Sequence, residues 1–155
     1  MKVQEGWLSK FILDNPHKVL FIIYSKKHEP IGHLGLADGL NTNSSIEIDN
    51  IVRGVKSSSK GIMSLAVYDL ISWVFLMTNS KKVYLRVFSD NNNAIKMYER
   101  LKFKCKKKFP LKRIKRKGVD NYSIVDSPKK TKKYFLLMEL DRNEHFMNYS
   151  VSKNW

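Results

Sequence analysis

An apolar segment at positions 62–77, IMSLAVYDLISWVFLM, constrains the fold most strongly. Its large apolar side chains recur every three or four residues, which is the spacing of one buried helix face. The predicted helix ends at Thr78, where polar residues follow. Strand-like runs flank it on both sides, SIEIDNIV at 45–52 and KKVYLRVF at 81–88. A helix between two strands indicates a mixed α/β domain.

The remaining segments complete the predicted order of elements. Residues 7–13 and residues from Asn92 to Leu101 have helical spacing. Further strand-like runs lie at 19–25, 31–37, 103–114 and 132–140. The first two of these flank the turn KKHEP and predict an antiparallel hairpin, whereas the last two are joined by a basic loop. The sheet segments and the two longer helices follow the order β-β-β-α-β-α-β-β.

Length and composition exclude several classes of protein. The chain has 155 residues, and we expect one domain over residues 1–142 with a C-terminal tail at 143–155. Cys105 is the only cysteine and the four histidines are scattered, so the sequence predicts neither an intrachain disulfide nor a metal site. No apolar run approaches the roughly 20 residues of a membrane span, and the N-terminus lacks the pattern of a signal peptide. A cytoplasmic protein with no membrane partner is expected.

The formal net charge of +15 predicts attraction to anions. Nucleic acid, a membrane surface and phosphorylated small molecules would each satisfy it. The richness in Lys, Asn, Ile and Ser also fits a biased genome, with no functional meaning.

The segment before the long helix, RGVKSSSKG, is a polar loop that contains glycine. The first N–H groups of a helix lack intrahelical partners and its dipole is positive there, so such a loop can bind an anion. The serines and Lys60 would add hydroxyl donors and a cation. The alternative is a solvated loop whose serines cap the helix. The loop alone favours that alternative.

A second segment, taken together with this loop, favours the anion-binding interpretation. In SDNNNAIKMYERLKF, at 89–103, the chain leaves a strand, begins a helix at three asparagines and places Tyr98 in it. The segments SSKGIM (58–63) and NNNAIKMYERLKF (91–103) resemble the two motifs of the GNAT superfamily of N-acetyltransferases. That family has R/Q-x-x-G-x-G/A before a helix and N-x-x-A-I-x-x-Y-x-x-x-G-F about 30 residues later. The resemblance covers roughly residues 5–140 and implies a mixed, mainly antiparallel sheet flanked by helices.

The resemblance also implies acetyl-CoA as co-substrate and no metal. It assigns the cofactor to Ile51, Val52, Ser59, Lys60, Gly61, Ile62, Met63, Ser64, Asn91, Ala94 and Tyr98. Three residues depart from the family pattern. Ser58 and Met63 replace an Arg or Gln and a small residue of the phosphate loop, and Lys102 replaces a turn glycine. Backbone N–H groups carry most of the phosphate contact, so the loop motif still predicts the pyrophosphate site.

The resemblance assigns chemistry to three side chains. Tyr98 is expected to protonate the departing thiolate, and its alternative role is an aromatic residue packed on the sheet. Glu47 and Asp49, which alternate with apolar residues on the strand before the loop, are the candidates for the general base. Their alternative is a solvated strand face. Alternation places Ile51 with these two carboxylates and Val52 on the opposite face with Ile46 and Ile48.

The acceptor is expected to be a primary amine that attacks acetyl-CoA directly in a ternary complex. DNIVRG and LRVFSDN resemble, more loosely, the GNAT branch that acetylates nucleotide-linked amino sugars. A nucleotide diphosphate would suit the basic segment from Lys104 to Lys117. Two other functions stay open, an inactive acetyltransferase remnant and a nucleic-acid-binding protein, although the sequence carries no nucleic-acid-binding motif.

The start of the chain carries a further expectation. The family opens with a strand and a helix for which this sequence has no counterpart, so we expect an N-terminally shortened fold. The strand VLFIIYS would then stand at a sheet edge, and it is apolar. Such an edge favours pairing with another chain. Either self-association into a homo-oligomer or poor stability of the isolated chain is expected, unless the C-terminal segment covers the edge.

Overall fold

The computed structural model describes residue 9 and residues 14–37, 44–54, 61–116, 119–126 and 131–151. The strands are β1 (Val19–Tyr24), β2 (Pro30–Ala37), β3 (Ser45–Arg53), β4 (Lys82–Phe88), β5 (Lys104–Arg116), β6 (Val119–Ile124) and β7 (Tyr134–Asp141). The helices are α1 (Ile62–Met77), α2 (Asn92–Arg100) and α3 (Arg142–Val151). The predicted mixed α/β fold class is confirmed, because the described strands form one seven-stranded sheet flanked by helices. The pairs β1–β2, β2–β3, β5–β6 and β5–β7 are antiparallel. The chain divides into a first compact unit, Met1–Val83 with Asp141–Trp155, and a second, Tyr84–Leu140.

In the first unit, β1, β2 and β3 follow one another as antiparallel neighbours. β1 and β2 form the predicted hairpin, with Val19 opposite Leu36. His28 turns the chain between them with a left-handed φ of 59°. β2 then pairs with β3, and Ala37 lies opposite Glu47.

β3 contains a β-bulge at Asn50. Two β3 residues, Asn50 and Ile51, lie opposite Leu34 alone, and Asn50 has a φ of 52°. The extra residue breaks the regular alternation of side chains. The flanking pairs are Gly35 with Asp49 and His33 with Val52.

The bulge corrects one prediction from the sequence. Val52 pairs with His33, which lies on the same face of β2 as the partners of Glu47 and Asp49. Val52 therefore shares the face of the two carboxylates, and Ile51 does not. The predicted faces of these two residues are wrong, since an inserted residue exchanges the faces of all that follow.

Helix α1 supplies much of the apolar core of the first unit. It ends where the sequence predicted, and Thr78 donates its backbone N–H to the carbonyl of Val74. Its buried residues are Met63, Val67, Leu70, Ile71, Val74 and Phe75. They follow the helical spacing that identified the segment.

Helix α3 packs on α1 through a buried histidine. His145 is 4% exposed, and its Nε2 lies 2.8 Å from the Ser72 hydroxyl. Burial lowers the pKa of His145. Arg142, at the start of α3, donates from Nε to the carbonyl of Ser80 at 2.8 Å and from Nη2 to that of Thr78.

In the second unit, the strand order is β4-β7-β5-β6. β5 pairs antiparallel with β7 through Lys104–Glu139 to Pro110–Tyr134, and with β6 through Leu111–Ile124 to Arg116–Val119. α2 follows β4 after a short turn. The predicted helix from Asn92 to Leu101 is confirmed to within one residue.

Two elements were not predicted. β6 lies in the segment expected to be a basic loop, and α3 lies in the segment assigned to the C-terminal tail. The β6 sequence VDNYSI is largely polar at its start, and the α3 sequence RNEHFMNYSV is poor in large apolar residues. Neither gives a strong periodic signal. The domain limits of 1–142 and 143–155 stay a prediction.

β1 stands at one end of the strand order, and its Ile22 and Tyr24 are exposed. Self-association through this strand stays a prediction. The helix expected at 7–13 lies outside the described residues, except for Ser9. No helix within the described part of the chain is long and apolar enough to cross a membrane.

Candidate functional site

The predicted site residues fall in both units. Those of the first unit lie on β3 and at the start of α1, and those of the second unit lie on α2 and at its N-cap, Asn91. Ser59 and Lys60 lie outside the described residues.

The two candidate bases on β3 have different surroundings. The Oδ2 atom of Asp49 lies 3.1 Å from the Lys18 ammonium, and its Oδ1 accepts the backbone N–H of Asn50. One carboxylate oxygen of Asp49 therefore forms an ion pair, and the other holds the backbone of the bulge. Glu47 is only 7% exposed, although the sequence suggested a solvated face as its alternative.

Ile51 and Val52 follow the bulge directly. Ile51 is half-buried and Val52 is 43% exposed. An exposed valine at the end of a core strand leaves apolar surface that a ligand can cover. The bulge takes Ile51 out of the regular register with β2, whereas Val52 pairs with His33.

Gly61 immediately precedes α1 and adopts a left-handed φ of 83°. It has no side chain with which to cap the helix, and Ile62, Met63 and Ser64 supply the first helical N–H groups. A Cβ added to Gly61 would meet no atom of the described residues within 4 Å. The backbone at this helix start is therefore open to a bulky anion.

Asn91 caps helix α2 in the second unit. Its Oδ1 accepts the backbone N–H of Ala94 at 3.2 Å, and its own N–H donates to the carbonyl of Phe88 at 3.0 Å. The spacing N-x-x-A thus has a local cause, because the asparagine satisfies the N–H three residues ahead. The amide nitrogen of Asn91 has no hydrogen-bond partner among the described residues of its unit.

Tyr98 is the one buried residue of α2. It is 6% exposed, and its ring packs against Phe103 with the centroids 5.9 Å apart. Burial raises the pKa of Tyr98 to about 12. A buried tyrosine usually satisfies its hydroxyl, but no described residue of its unit bonds to this one. The alternative packing role explains the ring and leaves the hydroxyl unexplained.

An ion pair beside Asn91 escaped the sequence analysis. Lys133 lies 3.0 Å from the carboxylate of Asp90, and this hydrogen bond lowers the pKa of Asp90. The same ammonium lies 4.5 Å from the centroid of the Phe88 ring and 4.6 Å from that of Tyr122. These contacts tie the turn between β4 and α2 to the residues before β7. The partners are more than 40 residues apart, so no local pattern indicates them.

His33 also escaped the sequence analysis. Its Nδ1 lies 2.9 Å from the backbone oxygen of Asn50, at the bulge. Only the register of β2 against β3 reveals this contact. Among the described residues, no group of three or more His, Cys, Asp or Glu could hold a metal ion.

The model of the acetyltransferase (GNAT) family matches residues 2–103, which is more than half of the 155-residue chain. The protein belongs to the GNAT family of acetyltransferases. It is therefore an N-acetyltransferase that uses acetyl-CoA as co-substrate, as the resemblance in the sequence implied.

Solved structures share the fold. Spermidine N-acetyltransferase from Vibrio cholerae, in complex with CoA and spermine, is 16% identical, with a TM-score of 0.67 over 94% of this chain and 76% of that chain. The dodecameric structure of the Vibrio cholerae enzyme in an intermediate state is 19% identical, with a TM-score of 0.69 over 96% of this chain and 78% of that chain. At these identities the likeness concerns the fold alone. A search of curated proteins finds no match.

Proposed function

We propose that the protein transfers the acetyl group of acetyl-CoA to a primary amine carried by an anionic molecule. The amine attacks the thioester directly while both substrates are bound. The observation that carries the transfer chemistry is Tyr98, a buried tyrosine whose hydroxyl bonds to no described residue of its unit.

The start of α1 would hold the pyrophosphate of the co-substrate. The N–H groups of Ile62, Met63 and Ser64 are the first of the helix, and Gly61 offers no side chain to obstruct a phosphate. Ser59 and Lys60 complete this proposed phosphate site. Positive helix ends and N–H donors together stabilise such an anion.

Two further segments would hold the pantetheine arm. The backbone of Ile51, which the bulge takes out of the regular register with β2, and that of its neighbour Val52 would bond to the amides of the arm. On α2, the amide nitrogen of Asn91 can donate to the arm, since its Oδ1 is already used by Ala94. The small side chain of Ala94 permits close approach.

Tyr98 would assist departure of the thiolate. Its pKa of about 12 keeps the hydroxyl protonated throughout the physiological range, which is the form that can donate a proton. Complete transfer to a thiolate whose conjugate acid has a pKa near ~8.5 is uphill by roughly three to four pKa units. The hydroxyl therefore contributes chiefly a hydrogen bond that strengthens as the carbon–sulfur bond breaks.

The proton of the amine needs an acceptor. The resemblance offers Glu47 and Asp49, of which Asp49 has both oxygens engaged by Lys18 and Asn50. Glu47 is buried on the same face.

The charge distribution supports an anionic acceptor. Residues 84–140 contain 17 of the 29 Lys and Arg residues and 5 of the 14 Asp and Glu residues. A surface this basic attracts a nucleotide diphosphate and repels a polycation. The similar structures have spermidine in their names, but their identity of under 20% extends only to the fold. A nucleotide-linked amino sugar is the acceptor class that we propose.

A thiol-release assay tests this proposal. Acetyl-CoA is incubated with the protein and, in turn, a nucleotide-linked amino sugar, spermidine, or no acceptor. Release of CoA that depends on the amino sugar is expected. Release with spermidine alone would overturn the acceptor class. Binding of acetyl-CoA by calorimetry, without release by any amine, would indicate an inactive remnant.

A further inference from the structure

We propose that the ion pair between Asp90 and Lys133 holds Asn91 in position for acetyl-CoA. The proposal rests on the proposed function above, in which the amide nitrogen of Asn91 donates to the pantetheine arm. Both members of the pair lie outside residues 58–63 and 91–103, which carry the two motifs of the family resemblance. They belong, like Asn91, to the second unit. The pair makes two side chains positioning residues.

Local bonds orient the Asn91 amide relative to its own turn. Its Oδ1 accepts the N–H of Ala94 at 3.2 Å, so the nitrogen of the same planar amide has a defined direction. The backbone N–H of Asn91 donates to the carbonyl of Phe88 at 3.0 Å. Both bonds lie within residues 88–94. The placement of this turn in the unit therefore depends on its contacts with other strands.

The turn is bonded to the start of β7. The N–H of Ser89 donates to the carbonyl of Tyr134 at 2.9 Å, and the N–H of Tyr134 donates to the Ser89 hydroxyl at 3.1 Å. The next residue of the turn, Asp90, adds the ion pair, in which its Oδ2 lies 3.0 Å from the Lys133 ammonium. Asp90 directly precedes Asn91. A change in the position of Asp90 is therefore passed to Asn91 through one peptide bond.

Lys133 is a well-held anchor for this pair. Its ammonium lies 4.5 Å from the centroid of the Phe88 ring and 4.6 Å from that of Tyr122. Its carbonyl accepts the N–H of Leu111, a β5 residue that is 2% exposed. An ammonium confined by two rings loses less side-chain entropy in an ion pair than one on an open surface. Lys133 thus connects the turn to the core of the unit.

Direct attraction of an anionic ligand is the competing role for Lys133. The two roles make opposite predictions for Asp90, because its carboxylate partly neutralises the ammonium beside it. If Lys133 attracts acetyl-CoA directly, removing the charge of Asp90 should strengthen binding. If the pair positions Asn91, the same change should weaken binding. The direction of the change in affinity therefore distinguishes the two roles.

Asp90→Asn and Lys133→Met test the pair by calorimetry with acetyl-CoA. Each should raise the Kd by about three- to fivefold, the scale of a partly exposed ion pair. Lys133→Arg keeps a cation that can pair and stack, so it should stay within about twofold of the parent. Lys132→Met removes the same charge at the adjacent exposed residue and should also stay within about twofold. A lower Kd in Asp90→Asn, or equal effects of the two methionine variants, would overturn the proposal.

A double-mutant cycle tests whether the pair acts through Asn91. Asn91→Ser keeps an oxygen that can cap α2 but removes the amide nitrogen. In this background, Asp90→Asn should raise the Kd no further, because the donor that the pair positions is already absent. An undiminished effect of Asp90→Asn would show that the pair acts elsewhere, which contradicts the proposal.

Turnover and melting separate positioning from a purely structural role. The kcat of Asp90→Asn at saturating acetyl-CoA should stay within about twofold of the parent, since the lost interaction concerns binding. A lower Tm with an unchanged Kd would make the pair structural and overturn the proposal. If the parent binds and uses acetyl-CoA while no variant of the pair changes the Kd, the positioning role alone fails. A parent that does not bind acetyl-CoA would contradict the proposed function as well.

Discussion

The two compact units divide apolar core evenly for their lengths but divide charge unequally. Among the described residues, 13 of the 20 buried apolar residues lie in the first unit, which is the longer of the two. By the sequence, the first unit has 12 of the 29 Lys and Arg against 9 of the 14 Asp and Glu, a net charge of +3, and the second unit has a net charge of +12. Basic residues are therefore concentrated on the unit that carries Tyr98. We infer that the first unit supplies the phosphate site and the second supplies acceptor selection.

The largest expected effect belongs to the second unit. Tyr98→Phe keeps the ring that packs on Phe103 and removes only the hydroxyl. Turnover should fall by roughly 10²-fold or more, with acetyl-CoA affinity unchanged. Steady-state kinetics and calorimetry measure the two quantities. Tyr122→Phe, in the same unit, is the control. Full activity in the Tyr98 variant would return Tyr98 to a packing role.

In the first unit, Gly61→Asp tests the phosphate site. Both Asp and Asn are strained at a φ of 83°, and they have nearly the same shape, so Gly61→Asn is the matched control. The added carboxylate should repel the phosphates and weaken acetyl-CoA binding by about tenfold relative to the Asn variant, or ~1.4 kcal/mol. Equal affinities of the two variants would show that the pyrophosphate lies elsewhere.

A smaller effect should follow from neutralising charge in the second unit. Lys108 and Lys112 are exposed on β5, and Lys26 and Lys27 are exposed in the first unit. The double change of Lys108 and Lys112 to Gln should raise KM for an anionic acceptor by a few fold at low salt, because exposed charges interact weakly in water. The same change at Lys26 and Lys27 should leave KM unaltered. Equal effects from both pairs would indicate non-specific attraction.

The smallest expected effect concerns the pH dependence of stability in the first unit. Burial lowers the pKa of His145 below its unfolded value of ~6.5, so the unfolded chain binds a proton before the folded chain does. Stability should therefore fall as the pH drops below ~6.5, by at most ~1.4 kcal/mol per pH unit. In His145→Phe this contribution should vanish, although the bond to Ser72 is also lost. Denaturant melts at several pH values compare the two slopes, and identical slopes would contradict the assignment.

The sequence predicts periodic and local features of this molecule well. The α1 segment has an uninterrupted helical spacing, and the Asn91–Ala94 pair is a cap that two neighbouring residues form. The bulge at Asn50 has no such signature, because its extra residue is evident only from the register against β2. For that reason the sequence assigns the side chains of Ile51 and Val52 to the wrong faces of β3. His33 and Lys133 depend on partners that are distant in sequence, and β6 is too polar to stand out from a loop.

The most direct test of a role for the unequal charge of the two units compares one amino sugar with and without its nucleotide diphosphate. kcat/KM is measured for both acceptors at two ionic strengths. If the second unit selects the anion, the nucleotide-linked form should be better by at least about tenfold at low salt, and the gap should narrow as salt screens the charges. Equal values at both salt concentrations, or a higher kcat/KM for spermidine than for either sugar, would contradict the account.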